Sequence, residues 1–360
     1  MRRPDRPRLW LPPLRPLRLG PLRMTPGGAQ LPLLPDQSSW TIRDERARGT
    51  AFIAITPKSV LNSPDSTGMD FWSVNPYIGC EFGCTYCYAR DTHRYAVERE
   101  SRREAHGGIA EDRASPALAA LAPLPPWLAF ERRILVKEGA AVRLTRTLDP
   151  AKVGRETIMI GTATDPYQPA ERRFRITRSL LEALAAHRGI SVGIITKSPL
   201  VVRDIDLLQT ITERGRAIVH ISLATFDARL ARRLEARSPV PAARIRALAQ
   251  LVRAGIEARL LVAPIIPGIT DGRDALRRLL AAAREAGARY VGGGALRLGP
   301  AARATFLPLL DREFPHLSRR YRAQYQRSIQ APAAYREALQ ARLAELRAEL
   351  GFEPSSGMDD

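Results

Sequence analysis

The sequence predicts an α/β fold built on a parallel sheet covered by helices, and three observations carry that prediction. Five apolar, β-branched runs recur between residues 157 and 298. The segments between them repeat apolar residues at helical spacing. The runs also start about 27 to 41 residues apart, the length of one βα unit. Strands apolar on both faces, alternating with amphipathic helices, belong to a sheet buried between helical layers.

Residues 1–38 hold nine prolines and many arginines without either periodicity, and read as a disordered basic tail. Met24 is an alternative start of translation within it. The core domain spans 39–300, and its first strand falls at "DFWSVNPYI" (70–78). Residues 97–155 interrupt the pattern as an insertion with some helix. Further strands follow at "TIMIGTAT" (157–164), "ISVGIITKS" (190–198), "AIVHISLAT" (217–225), "ARLLVAPIIPG" (258–268) and "RYVGGGALRL" (289–298). Ile176, Leu180 and Leu184 mark the helix after the second strand. Leu276, Leu279, Leu280 and Ala283, at i, i+3, i+4 and i+7, mark the helix after the fifth. Gly189, Gly215, Gly255 and Gly287 close helices and are expected in the left-handed conformation. "GGG" at 292–294 permits close backbone approach by a ligand or by packing neighbours.

Six units are too few for a closed eight-stranded barrel. A partial barrel and an open doubly wound sheet both fit, and in each function gathers at the C-terminal ends of the strands. A helical C-terminal extension, 301–360, ends the chain. Its strongest segment, "AAYREALQARLAELRAEL" (333–350), would pack Leu339, Leu343 and Leu346 on the barrel.

An apolar fraction of 45% suffices for a full core. The net charge of +19 comes from arginine, since the lysines are only Lys58, Lys137, Lys152 and Lys197. Such a field draws polyanions, so DNA or RNA is an expected partner; an arginine-biased composition is the plainer source. Three cysteines cannot pair off into structural disulfides, which points to a reducing, cytoplasmic setting. No membrane span is expected: the uncharged stretch "ASPALAALAPLPPWLAF" (114–130) carries four prolines. Arginines and prolines break every apolar run at the N-terminus, so no signal peptide is expected.

All three cysteines, Cys80, Cys84 and Cys87, fall within eight residues of the loop after the first strand. Thiolates suit zinc or iron–sulfur clusters. A structural zinc site needs four protein ligands and would have to recruit a residue such as His93. A cubane with three protein ligands keeps one iron open for a substrate or cofactor.

The Cys-x3-Cys-x2-Cys spacing, with Tyr86 before the third cysteine, resembles the signature of the radical S-adenosylmethionine (radical SAM) enzymes. "CTYCYAR", "GTATDPYQPAE" (161–171), "IITKSPLVVRDIDLL" (194–208), "ISLATFD" (221–227) and "VAPIIPGITD" (262–271) look like the branch of spore photoproduct lyase and DNA repair photolyase-like proteins. The resemblance implies a partial (β/α)6 TIM-like barrel, a [4Fe-4S] cluster on Cys80, Cys84 and Cys87, and S-adenosylmethionine on the open iron. It implies reductive cleavage to a 5′-deoxyadenosyl radical that abstracts hydrogen from a substrate. A low-potential electron donor such as flavodoxin or ferredoxin is then required. Residue by residue, Tyr86, Thr164, Asp165, Lys197, Ser222 and Glu235 would contact the cofactor, with Lys197 on the methionine carboxylate. Tyr86 also suits an ordinary core aromatic, Asp165 a turn before Pro166, Ser222 a small buried filler and Lys197 a surface lysine. Relatives read Glu-Pro where this chain has Glu235 and Ala236.

Spore photoproduct lyase returns hydrogen from a further cysteine, and the matching residue here is Thr162. A hydroxyl hydrogen is bound too strongly for that role, so a standard lyase of that kind is not expected. Tyr88 matches a tyrosine of the lyase's hydrogen relay and is a catalytic candidate. "RRYRAQYQRSI" (319–329) sets Tyr321 and Tyr325 among arginines, as a base-stacking surface would or as an arginine-faced helix packing its tyrosines would. The alternatives to a radical enzyme acting on nucleic acid are a non-catalytic iron–sulfur or zinc protein that binds nucleic acid, and a radical SAM enzyme acting on a peptide or small molecule.

Overall fold

A computed structural model describes residues 42–46, 49–92 and 124–354. The expected basic tail, the first part of the expected insertion (97–123) and His93 lie outside them.

The main sheet runs β11-β10-β9-β8-β7-β4-β3. Its members are β3 (Leu61–Asn62), β4 (Trp72–Val74), β7 (Thr157–Ile160), β8 (Ser191–Thr196), β9 (Arg216–Ser222), β10 (Glu257–Ile265) and β11 (Val291–Ala295). The strands from β4 to β11 pair in parallel, and β3 caps the β4 edge antiparallel. Each parallel strand lies beside its predecessor in this sheet, with no reversal of order. A doubly wound sheet would reverse, so the arrangement is the partial barrel.

Alternation along each strand divides the two faces. Ile158, Ile160, Val192, Ile194, Val219, Ile221, Leu260 and Val262 belong to the main apolar core, packed with α3 (Ile176–Ala185), α4 (Ile205–Arg214), α6 (Pro241–Arg253) and α7 (Arg273–Glu285). Leu180, Leu184, Leu276, Leu279, Leu280 and Ala283 are buried there, as the helical spacing requires. The C-terminal region adds α8 (Pro300–Glu313), α9 (Pro315–Arg327) and α10 (Ala333–Glu349). Leu339, Leu343 and Leu346 join the main core. A Cβ on Gly293 would lie 3.1 Å from Leu343 Cδ1, so this glycine of β11 serves the packing of α10. Among the described residues no helix is long and apolar enough to cross a membrane.

Three expectations need correction. The stretch 70–78 is two strands, because Pro76 has no N–H to continue a ladder. After β4 the chain crosses to a second sheet, where β5 (Tyr77–Ile78) pairs with β6 (Arg133–Lys137). That sheet, ordered β1-β2-β6-β5, also contains β1 (Ile42–Arg46) and β2 (Thr50–Ile55) and has no counterpart in the sequence reading. The described part of residues 97–155 thus contributes a strand besides its helices α1 (Pro126–Arg132) and α2 (Ala140–Thr147). Lastly, Gly189, Gly255 and Gly287 are left-handed, but Gly215 closes α4 in extended backbone (φ −169°). Glycine is needed there for space: a Cβ would fall 2.2 Å from the Ile190 carbonyl oxygen.

Candidate cluster and cofactor site

The cysteine loop leaves β5 at Gly79, whose φ of +93° suits glycine, and turns again at Gly83 (φ +56°). Successive turns tie the ligand positions together: Gly83 N–H donates to Cys80 O, Cys87 N–H to Cys84 O and Arg90 N–H to Cys87 O. Arg90 is fully buried beneath the loop. Its Nε donates to Cys84 O at 3.1 Å, other guanidinium nitrogens reach Trp127 O and Glu131, and its plane lies over the Phe130 ring.

A second loop, after β7, grips the first. Thr164 Oγ1 donates to Gly79 O at 2.5 Å, and Gln168 Nε2 donates to the same carbonyl at 3.1 Å. Gln168 Oε1 accepts from Glu81 N–H, while the Glu81 carboxylate accepts from Ala170 N–H. Asp165 is spent in a similar way. Its carboxylate accepts from Tyr167 N–H, Thr196 Oγ1 and Lys197 N–H, which joins the ends of β7 and β8. Thr164 and Asp165 therefore stand beside the cysteine loop, but with these polar atoms committed to protein partners.

The other expected cofactor residues converge. Lys197 Nζ donates to Ser222 Oγ at 3.0 Å, Glu235 Oε1 at 3.0 Å and the Tyr86 hydroxyl at 3.3 Å. Tyr86 donates its hydroxyl to Glu235, whose other oxygen accepts from Arg244. Arg244 also holds Ser222 O and Pro239 O. Burial would push the Glu235 carboxyl up, but Lys197 and then Arg244 more than reverse it and hold it at about 2. Glu235 and Arg244 are almost wholly buried, whereas the Lys197 side chain keeps 15% of its surface exposed.

The sulfurs sit in apolar surroundings. Cys80 and Cys84 are buried with Phe82, Tyr86, Phe130, Leu234 and Phe306, and Cys87 packs against the same cluster. Cys84 Sγ lies 3.5 Å from Ser238 Oγ. Burial pushes the Cys84 thiol up to about 12 and raises Cys80 and Cys87 too. Among the described residues no three His, Cys, Asp or Glu side chains lie close enough together to hold a single metal ion. Three soft sulfurs among apolar side chains fit a thiolate-held iron–sulfur cluster.

Tyr88 is 51% exposed, yet its hydroxyl turns in to the Thr162 carbonyl. Thr162 Oγ1 accepts from Asn75 Nδ2 at 3.1 Å. Tyr321 and Tyr325 are buried, with their hydroxyls on Pro267 O and Leu296 O. They pack on the barrel and present no stacking surface. The sequence reading missed Arg90, Gln168, Arg244 and Glu81. Arg90 and Glu81 carried a local signal, lying three residues after Cys87 and one after Cys80.

The Radical SAM superfamily profile matches residues 74–280. The chain is 33% identical over 311 residues to an uncharacterized protein of Mycobacterium tuberculosis, covering 86% of this chain and 84% of that one. An uncharacterized protein of Methanocaldococcus jannaschii is 27% identical over 219 residues, 61% of this chain and 69% of its own length. Spore photoproduct lyase complexed with dinucleoside spore photoproduct superposes with a TM-score of 0.55 at 14% identity, over 84% of this chain and 80% of the lyase. A variant of that lyase with bound AdoMet and dinucleoside spore photoproduct gives 0.51 at 12% identity, over 78% and 75%. At such identities the likeness is one of fold.

Proposed function

The chain belongs to the radical SAM superfamily, and from that premise we propose an enzyme that holds a [4Fe-4S] cluster on Cys80, Cys84 and Cys87 and binds S-adenosylmethionine beside it. Bound together, these groups supply one-electron cleavage of a sulfonium and a carbon radical that takes a hydrogen atom from a substrate.

The observation that carries the reading is the juxtaposition of a three-thiol apolar loop with a partly exposed ammonium. Lys197 shares its protons among Ser222, Glu235 and Tyr86, so an entering carboxylate exchanges for one of these partners without ordering a free side chain. Glu235 stays ionised and with Arg244 fixes where the ammonium stands. Ser222 and Glu235 offer acceptors for the ammonium end of the same amino acid. Tyr86, whose ring centroid lies 5.6 Å from Lys197 Nζ, would flank the cofactor. Arg90, Gln168 and Thr164 hold the loop so that the sulfurs keep their spacing, and the surrounding apolar side chains keep water away.

For substrate we propose nucleic acid, on the net charge of +19 and the likeness to the lyase fold. The reaction differs from that of the lyase. On the resemblance, Thr162 takes the place of the lyase's hydrogen-donating cysteine, and its hydroxyl accepts from Asn75. We propose Tyr88, whose hydroxyl rests on the Thr162 carbonyl, as the residue that passes a hydrogen atom to the product radical. A low-potential donor such as flavodoxin or ferredoxin would supply the electron in the cytoplasm.

Anaerobic reconstitution tests the reading. Four irons per chain and 5′-deoxyadenosine on reduction, both lost in Cys84→Ala, are expected. Tetrahedral zinc with no recoverable cubane would refute it. Deuterated DNA or RNA that never passes label to 5′-deoxyadenosine would refute the substrate assignment alone.

A further inference from the structure

With its open side given over to the cofactor, a cluster set among apolar side chains receives its electron through the protein, so the covering over the cysteine loop decides where a donor can work. Two elements share that covering: α8, where Thr305 Oγ1 donates to Thr85 O, and α5 (Ala228–Leu234) with the turn after it, the one whose outer face is cationic. The inner face of this segment belongs to the site. Leu234 O accepts from both Thr85 N–H and Thr85 Oγ1, Glu235 enters the Lys197 network, and Ser238 lies against Cys84. Its outer face is arginine. Arg229, Arg232, Arg233 and Arg237, at i, i+3, i+4 and i+8, are all exposed. Among the described residues Arg233 pairs with Glu313 and Arg237 with Glu131, whereas Arg229 and Arg232 have no carboxylate partner. Phe226 and Val240, 39% and 41% exposed, add an apolar contact at either end of the segment.

We propose that this arginine face of α5 is the docking surface for a small acidic one-electron carrier protein. The proposal rests on the cluster reading above. Arg237 is the wire in the arrangement: its guanidinium is at the surface, and its Nε donates to Glu81 O at 2.6 Å, one covalent residue from Cys80. One electron leaves the carrier's reduced flavin or iron–sulfur centre and enters the cluster; the carrier is oxidised by one electron, the cluster is reduced by one, and no proton or group moves. An exposed cationic face with apolar edges suits a weak, fast, electrostatically steered encounter. Nucleic acid is the rival polyanion. A substrate that gives up a hydrogen atom must reach the Lys197 side of the segment, however, and a helix with its side chains is about 10 Å thick. An electron can cross that thickness, and a substrate atom cannot.

The test is anaerobic stopped-flow reduction of the reconstituted full chain by photoreduced flavodoxin, with photoreduced 5-deazariboflavin, small and uncharged, as comparator. Arg229→Glu with Arg232→Glu is expected to slow reduction by flavodoxin about 10- to 100-fold at low ionic strength, with the gap closing as salt is raised. Reduction by deazariboflavin should not change. Arg188→Glu with Arg253→Glu makes the same change in net charge at the opposite ends of the strands, just before β8 and β10, and should leave both rates as they were. Equal slowing with both reductants, equal slowing by the control pair, or loss of oligonucleotide binding with an unchanged flavodoxin rate would each overturn the assignment. A wild-type chain that takes up no cluster fails before any rate is read, and that outcome sinks the cluster reading along with the docking face.

Discussion

Replacing Glu235 by glutamine should destabilise the protein more than replacing Lys197 by methionine, although the two residues face each other at 3.0 Å. The asymmetry follows from the charge count, because one buried carboxylate serves two cations. Lys197→Met leaves Glu235 paired with Arg244 and forfeits the ammonium's hydrogen bonds with its share of the pull on the Glu235 carboxyl, about 1–2 kcal/mol in all. Glu235→Gln leaves Lys197 and a buried Arg244 facing a neutral amide. The carboxyl is held at about 2 against an ordinary 4.5, which converts to about 3 kcal/mol of stability at neutral pH. Since the folded value is the lower one, that stability is fully present above pH 4.5 and is lost as pH falls toward 2. Guanidinium midpoints of the metal-free full chain, measured for wild type and both variants at neutral and acid pH, provide the assay. The glutamine variant should lie lowest at pH 7 and converge on wild type in acid. A Lys197→Met variant as unstable as Glu235→Gln, or a glutamine deficit unchanged near pH 2, would refute the reasoning.

Three further outcomes follow from the same geometry. In the metal-free chain Cys84, with its thiol at about 12, carries at pH 8 only about one thiolate in 10⁴; iodoacetamide should label it far more slowly than glutathione, and equal rates would contradict its burial. Gln168→Leu strands the Glu81 N–H and removes a donor from Gly79 O, at a cost of about 3 kcal/mol; a lower unfolding midpoint and poorer iron uptake on reconstitution should appear together. Gly215→Ala should cost about 2–4 kcal/mol by clash with Ile190 O, more than Gly189→Ala, which meets only left-handed strain in open space; thermal midpoints in the opposite order would remove the steric account of Gly215.

What could be read in the sequence had a short range. The strands from β7 to β11 announce themselves because each is buried on both faces, and the helices because their apolar residues return every third or fourth position. Cys80, Cys84 and Cys87 are legible because the ligand spacing is local. The second sheet was missed: β5 is two residues long, and β2 and β6, which do carry short apolar runs buried on both faces, pair across some eighty residues outside the repeating βα series. Gln168 and Arg244 were hidden for the same reason. Gln168 touches the cysteine loop from 87 positions away, and nothing about "YQPAE" distinguishes a clamp from a turn. Tyr321 and Tyr325 teach the converse. A helix spaced with arginines and tyrosines looks like a nucleic-acid surface, until the i, i+4 spacing turns both rings to the same buried side.

The site's electrostatics bear on why the chain keeps a charged cluster where apolar residues would pack more cheaply. Buried ion pairs often add little to stability compared with apolar substitutes, and here Arg244 and Glu235 already neutralise each other. Of the three charged side chains Lys197 is the one least buried. It stands partly exposed beside an apolar, three-thiol loop, where an anion entering from the open side would exchange for one of its present partners. On the proposed reading, a carboxylate on a short amino-acid chain has the right charge, while its amino group would find acceptors on Ser222 and Glu235. On this argument the cost of holding Lys197, Glu235 and Arg244 together is recovered on binding, and the free energy of cofactor binding should fall most steeply when Lys197 is made neutral and least when Ser222 is.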